Sequence, residues 1–366
     1  MTDRAQCWLP QTRPGPTALF LQGNTFRRGA GRLSAPPPVT RRRRLWAGQG
    51  ACLASRRPGA MLGASTPIPP GTIAMKIAAA AYPLDYFPDW AAYEAKLTRW
   101  VADAAGQGAD LLVFPEYGAM ELASLGGPAV AADLEAALRE VARHKPAVDA
   151  LHLALAARFG LHILGASGPV FAGNKRPVNR ATFYGPSGIL GHQDKQVMTR
   201  FERETWFVEP GGPLTLFDTP LGRIGIVICY DSEFPLLARA LCEAGAEILL
   251  APSCTDSFTG FTRVRTGAMA RALENQCVVA HSPTVGACGW CPPVDENIGR
   301  AAIYGPPDHG WPETGILAET ALDRPGWALA EVSRALIAET RANGGVLNMA
   351  HWPEQADRLA AGIRRA

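Results

Sequence analysis

Residues 222–235 read GRIGIVICYDSEFP, and this stretch decides the fold. The apolar residues from Ile224 to Ile228 predict a buried β-strand, and the acidic residues and proline that follow predict the start of a helix. Cys229 therefore lies at a strand-to-helix turn, where we expect its sulfur to be exposed. A helix N-terminus and a nearby ammonium would lower the thiol pKa and favour the thiolate. Read alone, the pattern fits a buried structural cysteine equally well.

Two further segments of the chain contain an ionisable residue that could act together with Cys229. LLVFPEYGAM, residues 111–120, delivers Glu116 to the end of a short apolar run, where partial burial would raise its pKa and suit a general base. GHQDKQVMTRFERE, residues 191–204, contains Lys195. Taken singly, Glu116 and Lys195 resemble ordinary surface charges. Their meaning depends on meeting Cys229 in the folded chain.

Around these sites, short apolar strands alternate with helical segments. Helices are predicted at Trp90–Ala105, at about Ala129–Phe159 with an interruption near Pro146, at Glu233–Ala244 and at Arg263–Glu274. This alternation predicts a layered α/β protein with helices covering the faces of a sheet. No run approaches 18 apolar residues, so we expect no membrane span.

The first 74 residues differ from the rest of the 366-residue chain. They contain 11 arginines, no lysine and one acidic residue, Asp3, and they include the runs Pro36–Pro38 and Arg41–Arg44. We predict a disordered basic Arg/Pro/Gly-rich extension over residues 1–74 and a folded domain over 75–366. An over-extended translation start with Met75 as the true first residue, a native tail and an organellar transit peptide remain open.

The charge of the folded part excludes one class of partner. The whole chain has a net charge of +3, but residues 75–366 hold 25 basic and 32 acidic residues, a net charge of −7. A nucleic-acid partner is therefore not expected. Eight cysteines at irregular spacings in a long chain predict free thiols and a reducing, cytoplasmic compartment.

Taken together, the three sites resemble the nitrilase, or carbon–nitrogen hydrolase, superfamily. The matching strings occur in the order Glu, Lys, Cys: FPE at 114–116, DK at 194–195 and ICYDSEFP at 228–235. GAEILLAPS at 245–253 and RALENQCVV at 271–279 resemble the segments that follow the nucleophile. The ordered set is far more specific than any one string, and the resemblance spans roughly residues 75–335.

The resemblance implies a four-layer α–β–β–α sandwich that forms a homodimer or a higher homo-oligomer. It implies a small-molecule amide substrate, no metal and no cofactor. The string Cys229-Tyr230-Asp231 is similar to the amidase-like branch, so we expect a hydrolase of linear amides, like an omega-amidase or N-carbamoyl hydrolase, not of nitriles. An acyltransferase that uses the same thioester is the close variant.

The resemblance also implies roles for individual residues. Cys229 would attack the amide carbonyl, Glu116 would transfer protons, and Lys195 with a backbone N–H would stabilise the oxyanion. For the family's second glutamate we favour Glu202 over Glu204, although the string FERE departs from the commoner forms. We expect the substrate to contact Tyr117, Tyr230, Glu204 and Cys254.

Two other function classes and two loop features remain as alternatives. One class is a non-catalytic binding protein on the same fold, and the other is a different thiol enzyme, such as one pairing Cys229 with His192 or His281. Cys288 and Cys291 form a C-x-x-C pair that we interpret as a structural or incidental loop. The long segment 282–297 is predicted to cover the cleft as a lid or to contact a second subunit.

Overall fold

The computed structural model describes residues 74–173 and 175–365, in which thirteen strands and eight helices occur. The strands are β1 (Ala74–Pro83), β2 (Leu111–Val113), β3 (His162–Leu164), β4 (Gly168–Val170), β5 (Val178–Gly185), β6 (Gly188–Asp194), β7 (Leu216–Thr219), β8 (Gly222–Ile226), β9 (Ile248–Ser253), β10 (Val278–Val285), β11 (Ala302–Tyr304), β12 (Ile316–Glu319) and β13 (Gly326–Ser333). The helices are α1 (Trp90–Gly106), α2 (Pro128–Ala132), α3 (Leu134–Phe159), α4 (Pro235–Glu243), α5 (Phe258–Asn275), α6 (Arg334–Asn343), α7 (Asn348–His351) and α8 (Glu354–Ala360). The predicted disordered extension lies outside the described residues apart from Ala74, so it stays a prediction.

The strands form two half-sheets that meet along β1 and β10. One half has the order β4–β5–β3–β2–β1, with β6 on β5 and β13 on β1; the other has the order β10–β9–β8–β7, with β11 and β12 beyond β10. The halves join through the two residue pairs Tyr82–Thr284 and Pro83–Val285. Strands β2, β1, β10, β9 and β8 are all parallel, so their carboxyl ends share one edge. In such sheets this edge forms the ligand crevice.

The alternation of side chains along β1 explains the layers. Ile77 and Ala79 pack into a core between the two half-sheets, whereas Ala80 and Tyr82 pack on the opposite face against α1 and α3. Because both faces of the strand are covered, its run of alanines is buried throughout. A third core lies between the other half-sheet and the helices α4 and α5. The predicted four-layer α–β–β–α sandwich is therefore confirmed.

Three predicted helix boundaries were wrong, and one of them is the start predicted at Arg263, since α5 begins at Phe258. The break expected near Pro146 is absent: α3 runs through that residue, and the discontinuity lies at Asp133, whose side chain caps α3 by accepting from the Ala136 N–H. The helix expected from Glu233 begins at Pro235 instead, because residues 229–233 form a separate 3₁₀ turn. Proline is favoured at the first position of a helix, since the N–H that it lacks would have no partner there.

Candidate active site

The three predicted catalytic side chains come from three strand ends and meet at the sheet edge. Glu116 lies three residues after β2, Lys195 follows β6 directly, and Cys229 lies three residues after β8. All three are buried, with Lys195 only 1% exposed and Cys229 4%. The structure thus brings together residues that are up to 113 positions apart in the chain.

Lys195 connects two buried carboxylates. Its Nζ donates to Glu116 Oε1 at 2.7 Å and to Glu202 Oε2 at 2.6 Å. Burial alone would lower the pKa of Lys195, but the charges of the two glutamates outweigh it and raise the pKa well above its usual value. The ammonium is therefore a fixed positive charge within the cluster.

Glu116 is a carboxylate whose pKa is matched to neutral pH. Burial raises its pKa to about 7 against the opposing charge of Lys195. Its Oε1 also accepts from Asn179 Nδ2 at 3.0 Å, and its Oε2 accepts from the Cys254 N–H at 3.0 Å. At neutral pH this carboxyl group is close to half ionised, and hydrogen bonds to both of its oxygens fix its position. These properties suit a general base that must also return a proton.

Cys229 is a neutral thiol, which corrects one expectation. Burial and the charge of Glu116 raise the pKa of the thiol well above its usual value, and these effects exceed the opposing charge of Lys195. The predicted lowering of this pKa was therefore wrong, because the site is dry and a carboxylate adjoins the sulfur. A buried neutral thiol needs a base to become a nucleophile.

The backbone at Cys229 is strained and strongly held. Its φ of 51° lies in the left-handed region that residues other than glycine rarely adopt. Ser232 Oγ donates to the Cys229 carbonyl at 2.6 Å, and Arg271 on α5 donates to the Ser232 carbonyl at 2.7 Å. Helix α5 approaches this turn at Gly267, where an added Cβ would lie 2.8 Å from the Ser232 oxygen. The surrounding packing thus maintains the strained conformation.

Of the two candidate second glutamates, the structure brings only Glu202 to Lys195. Glu202 also accepts from Thr199 N and Thr199 Oγ1 at 2.9 Å. Although burial opposes it, Lys195 holds the pKa of Glu202 below its usual value. Glu204 is exposed and pairs with Arg200 on the surface at 2.8 Å, outside the cluster around Lys195, and its contact with a substrate stays a prediction. The two glutamates have different environments because the turn 202–206 directs the Glu202 side chain into the protein and the Glu204 side chain to the surface.

The remaining predicted substrate contacts have other partners in the structure. The Tyr117 hydroxyl donates to Glu202 Oε1 at 2.8 Å, so this side chain holds Glu202. Tyr230 is half-buried, with its ring edge-on to Phe234 at 4.8 Å between centroids. Cys254 is half-buried, and its carbonyl accepts from Cys229 Sγ at 3.8 Å. Of these three residues, Cys254 is the one that accepts a hydrogen bond from the Cys229 sulfur.

Two residues of the site were not identified from the sequence. Asp231 is buried and accepts from the N–H groups of Val197 at 2.8 Å and Gln196 at 3.1 Å, so it ties the segment after Lys195 to the nucleophile turn. Burial raises the pKa of Asp231 to about 6. Asn179 contacts Glu116, as described above. A carboxylate two residues after the cysteine was a usable signal for Asp231, whereas nothing in the sequence around Asn179 indicated its contact.

Other features fall outside the cluster of Glu116, Lys195 and Cys229. His281 is fully buried and bonded to Ser253 Oγ at 2.8 Å, and burial lowers its pKa to about 3. Cys288 and Cys291 are both buried and free, which agrees with a structural role. Asn297, at the end of segment 282–297, accepts from Cys254 Sγ at 3.4 Å, so that segment reaches a residue beside the site.

Within residues 74–173 and 175–365, no group of three or more His, Cys, Asp or Glu side chains is arranged to hold a metal ion. In the same part of the chain, no helix is both long enough and apolar enough to cross a membrane.

Comparison with known proteins identifies the family to which the chain is similar. The model of the carbon–nitrogen hydrolase family matches residues 76–347. The chain is 31% identical over 250 residues to the probable hydrolase YhcX of Bacillus subtilis, covering 68% of this chain and 47% of that one. Over 87 residues it is 44% identical to the deaminated glutathione amidase of Yersinia enterocolitica, covering 24% and 30% of the two chains. The chain thus spans less than half the length of either relative.

Among solved structures, a carbon–nitrogen hydrolase from Helicobacter pylori G27 superposes with a TM-score of 0.61. The match covers 79% of this chain and 96% of that one at 19% identity, which supports a shared fold. With the family match extending over most of the described residues, the chain belongs to the carbon–nitrogen hydrolase family.

Proposed function

We propose that this protein hydrolyses a non-peptide amide C–N bond of a small molecule through a cysteine thioester, releasing ammonia or an amine and a carboxylic acid. The observation that carries the proposal is the placement of Lys195 between Glu116 and Glu202, directly beside the Cys229 thiol. Membership of the carbon–nitrogen hydrolase family and the name of the Yersinia relative, an amidase, support the choice of an amide.

In the first half of the reaction, Glu116 takes the thiol proton and Cys229 Sγ attacks the amide carbonyl. Because the pKa of Glu116 is about 7, a large fraction of it is ionised at neutral pH and ready to accept that proton. The tetrahedral intermediate carries an oxyanion, which the Lys195 ammonium and a backbone N–H next to Cys229 stabilise. Glu116 then gives its proton to the departing nitrogen, and a thioester remains.

In the second half, Glu116 activates a water that attacks the thioester carbonyl. The same oxyanion contacts act again, and the proton on Glu116 returns to the Cys229 sulfur as the acid leaves. Glu202 does not touch the reacting atoms in this scheme. It holds the Lys195 ammonium in place, and Tyr117 in turn holds Glu202.

The alternative thiol chemistry has less support in the geometry. His281 bonds to Ser253 and has a strongly lowered pKa, so it is not placed to activate Cys229. A non-catalytic role would leave a strained backbone and a raised carboxylate pKa without purpose. A homo-oligomeric state, a cytoplasmic location and acyl transfer as a variant reaction remain predictions from the sequence.

A panel of small amides with ammonia detection tests the proposal. We expect Cys229→Ala to lower turnover by at least ~10⁴-fold, since a nucleophile acts as one unit with its base. Cys242→Ala is the matched control, because Cys242 is also a buried free thiol but lies on α4, in the core between that helix and the sheet. Hydroxylamine added to the assay separates acyl transfer from hydrolysis. Retained turnover in Cys229→Ala would end the proposal.

A further inference from the structure

Asn179 is placed opposite Lys195 by the pairing of two strands. In the antiparallel pair β5–β6, Arg180 lies opposite Asp194, and the Lys195 N–H donates to the Asn179 carbonyl at 2.9 Å one step further along. Residues directly opposite each other in an antiparallel pair direct their side chains to the same face. The backbone therefore aims Asn179 and Lys195 at the same point.

That point is one oxygen of Glu116. Asn179 Nδ2 donates to Glu116 Oε1 at 3.0 Å, and Lys195 Nζ donates to the same oxygen at 2.7 Å. The two donors differ in kind: the ammonium is also shared with Glu202, whereas the amide is neutral at every relevant pH. The Asn179 amide thus stabilises the ionised form of Glu116 with a hydrogen bond that adds no charge and is not shared with Glu202.

The other end of the same amide has no protein partner. Asn179 is fully buried, and its Oδ1 has no hydrogen-bond partner among the described residues. A buried acceptor without a partner costs stability, and an apolar side chain of the same shape would avoid that cost. The opposite amide orientation would place Oδ1 against the carboxylate. The fold therefore tolerates an unfavourable group so that a donor reaches Glu116.

We propose that Asn179 is a positioning residue that holds Glu116 Oε1 beside Lys195 and keeps the carboxylate ionised, so that it can take the Cys229 proton. The inference rests on the proposed amide hydrolysis. Asn179 acts through Glu116 and touches neither the nucleophile nor the reacting carbonyl in this scheme.

The titration of Glu116 depends on every charged or titratable group that faces it. These groups are Lys195 after β6, Glu202 in the turn 202–206, Cys229 in the nucleophile turn, Cys254 after β9 and the adjacent Tyr117. None of them is altered when Asn179 is replaced by an apolar residue. A change in the pH profile of such a variant therefore reports the lost amide donor.

The pH profile of kcat/KM in the variant Asn179→Leu tests the inference. Losing a hydrogen bond to the charged form raises the pKa of Glu116, so the acid limb should move up by about one to two pH units. At pH 7, kcat should fall about tenfold or more with KM little changed, and activity should recover above the shifted limb. Asn179→Gln, which retains the amide, should restore part of the wild-type profile.

The matched control is Asn343→Leu. Asn343 Nδ2 makes the same contact with a carboxylate, Glu339 Oε1 at 3.0 Å, but on the exposed surface of α6. Its profile should be that of the wild type. An acid limb that stays in place in Asn179→Leu overturns the inference, as does a loss of activity that is uniform across pH and accompanied by a lower melting temperature.

A second readout does not depend on turnover. The rate at which iodoacetamide alkylates Cys229 should rise with ionisation of Glu116, and its pH dependence should move by the same amount in Asn179→Leu. If the wild type hydrolyses no amide but the alkylation profile shifts, the proposed function fails and the role of Asn179 stands. If turnover is normal and neither profile shifts, the role of Asn179 fails alone.

Discussion

Two buried lysine–carboxylate clusters in the described part of the chain look alike and differ in chemistry. The Lys195 cluster consists of Lys195, Glu116 and Glu202. The Lys96 cluster consists of Lys96, Glu121 and Asp85, with Lys96 Nζ at 2.8 Å from Glu121 and 2.9 Å from Asp85. Both ammoniums are almost inaccessible, at 1% and 3% exposure.

The clusters also share a tyrosine. Tyr82 donates to Glu121 Oε1 at 2.7 Å, as Tyr117 donates to Glu202 Oε1 at 2.8 Å. Burial raises the pKa of both hydroxyls well above the usual value, so both remain donors. Lys96 additionally lies over the Tyr82 ring, 4.1 Å from its centroid. A buried lysine, a carboxylate and a tyrosine together are therefore not sufficient evidence of an active site.

The two clusters differ in their contact with the proposed catalytic thiol and in the solvent exposure of the second carboxylate. In the Lys195 cluster, Glu116 contacts the Cys229 thiol, and the second carboxylate, Glu202, has a side chain 3% exposed. In the Lys96 cluster the second carboxylate, Asp85, has a side chain 55% exposed, and the Pro83 carbonyl accepts a hydrogen bond from Lys96 Nζ at 2.6 Å. The Lys96 cluster therefore fastens the loop after β1 to the turn at 118–126.

The largest expected difference between the clusters is kinetic. Glu116→Gln should lower kcat by ~10²–10⁴-fold, because the base and acid of both half-reactions is lost. Glu121→Gln should change kcat by less than about tenfold and should instead destabilise the fold, since one partner of a buried pair is removed. Amide turnover and urea unfolding of both variants measure these effects. A comparable loss of kcat in Glu121→Gln would mean that the two clusters act as one site.

A smaller difference should separate the two tyrosines. Tyr117→Phe frees one oxygen of Glu202, which holds Lys195, and should lower kcat about tenfold. Tyr82→Phe should leave kcat within about twofold while costing about 1–2 kcal/mol of unfolding free energy, as expected for a hydrogen bond to a buried carboxylate. Equal kinetic effects in the two variants would remove the distinction between a tyrosine that positions the catalytic cluster and a structural tyrosine.

Local patterns in the sequence predicted a layered α/β fold, whereas the assignment of Glu116, Lys195 and Cys229 to one site came from the resemblance to the carbon–nitrogen hydrolase superfamily. The alternation around Cys229 and the apolar run before Glu116 place both residues at strand ends, and parallel strands align those ends. Glu121 lies five residues after Glu116, directly beyond the string LLVFPEYGAM, and no local pattern distinguishes the roles of the two glutamates. Lys96 was read only as part of a helix, although it is buried.

Contacts between distant segments account for what could not be predicted. Asn179 reaches Glu116 through strand register, and the register of β6 was not predictable from GILGHQD, which does not alternate regularly. The raised pKa of Cys229 depends on how dry the site is, and burial follows from tertiary packing. The choice between Glu202 and Glu204 needed the direction of a short irregular turn, which no periodicity specifies.

The smallest effect concerns stability as a function of pH. Burial raises the pKa of Glu116 from 4.5 to about 7, so the folded chain retains a proton between those values that the unfolded chain has released. The corresponding contribution to stability is fully present below about pH 4.5 and is lost as pH rises through 7.

Glu121 has a raised pKa for the same reason and contributes with the same sign. Glu202, whose pKa is lowered, has its effect below about pH 4.5, outside this window. The unfolding free energy of the wild type should therefore fall from pH 5 to pH 7 more steeply than that of Glu116→Gln, by on the order of 1 kcal/mol per pH unit. Urea unfolding at pH 5, 6 and 7 measures the slopes. Parallel slopes would show that Glu116 ionises in the fold as it does in the unfolded chain, and the Lys195 cluster would then lack the proton acceptor tuned to neutral pH that sets it apart.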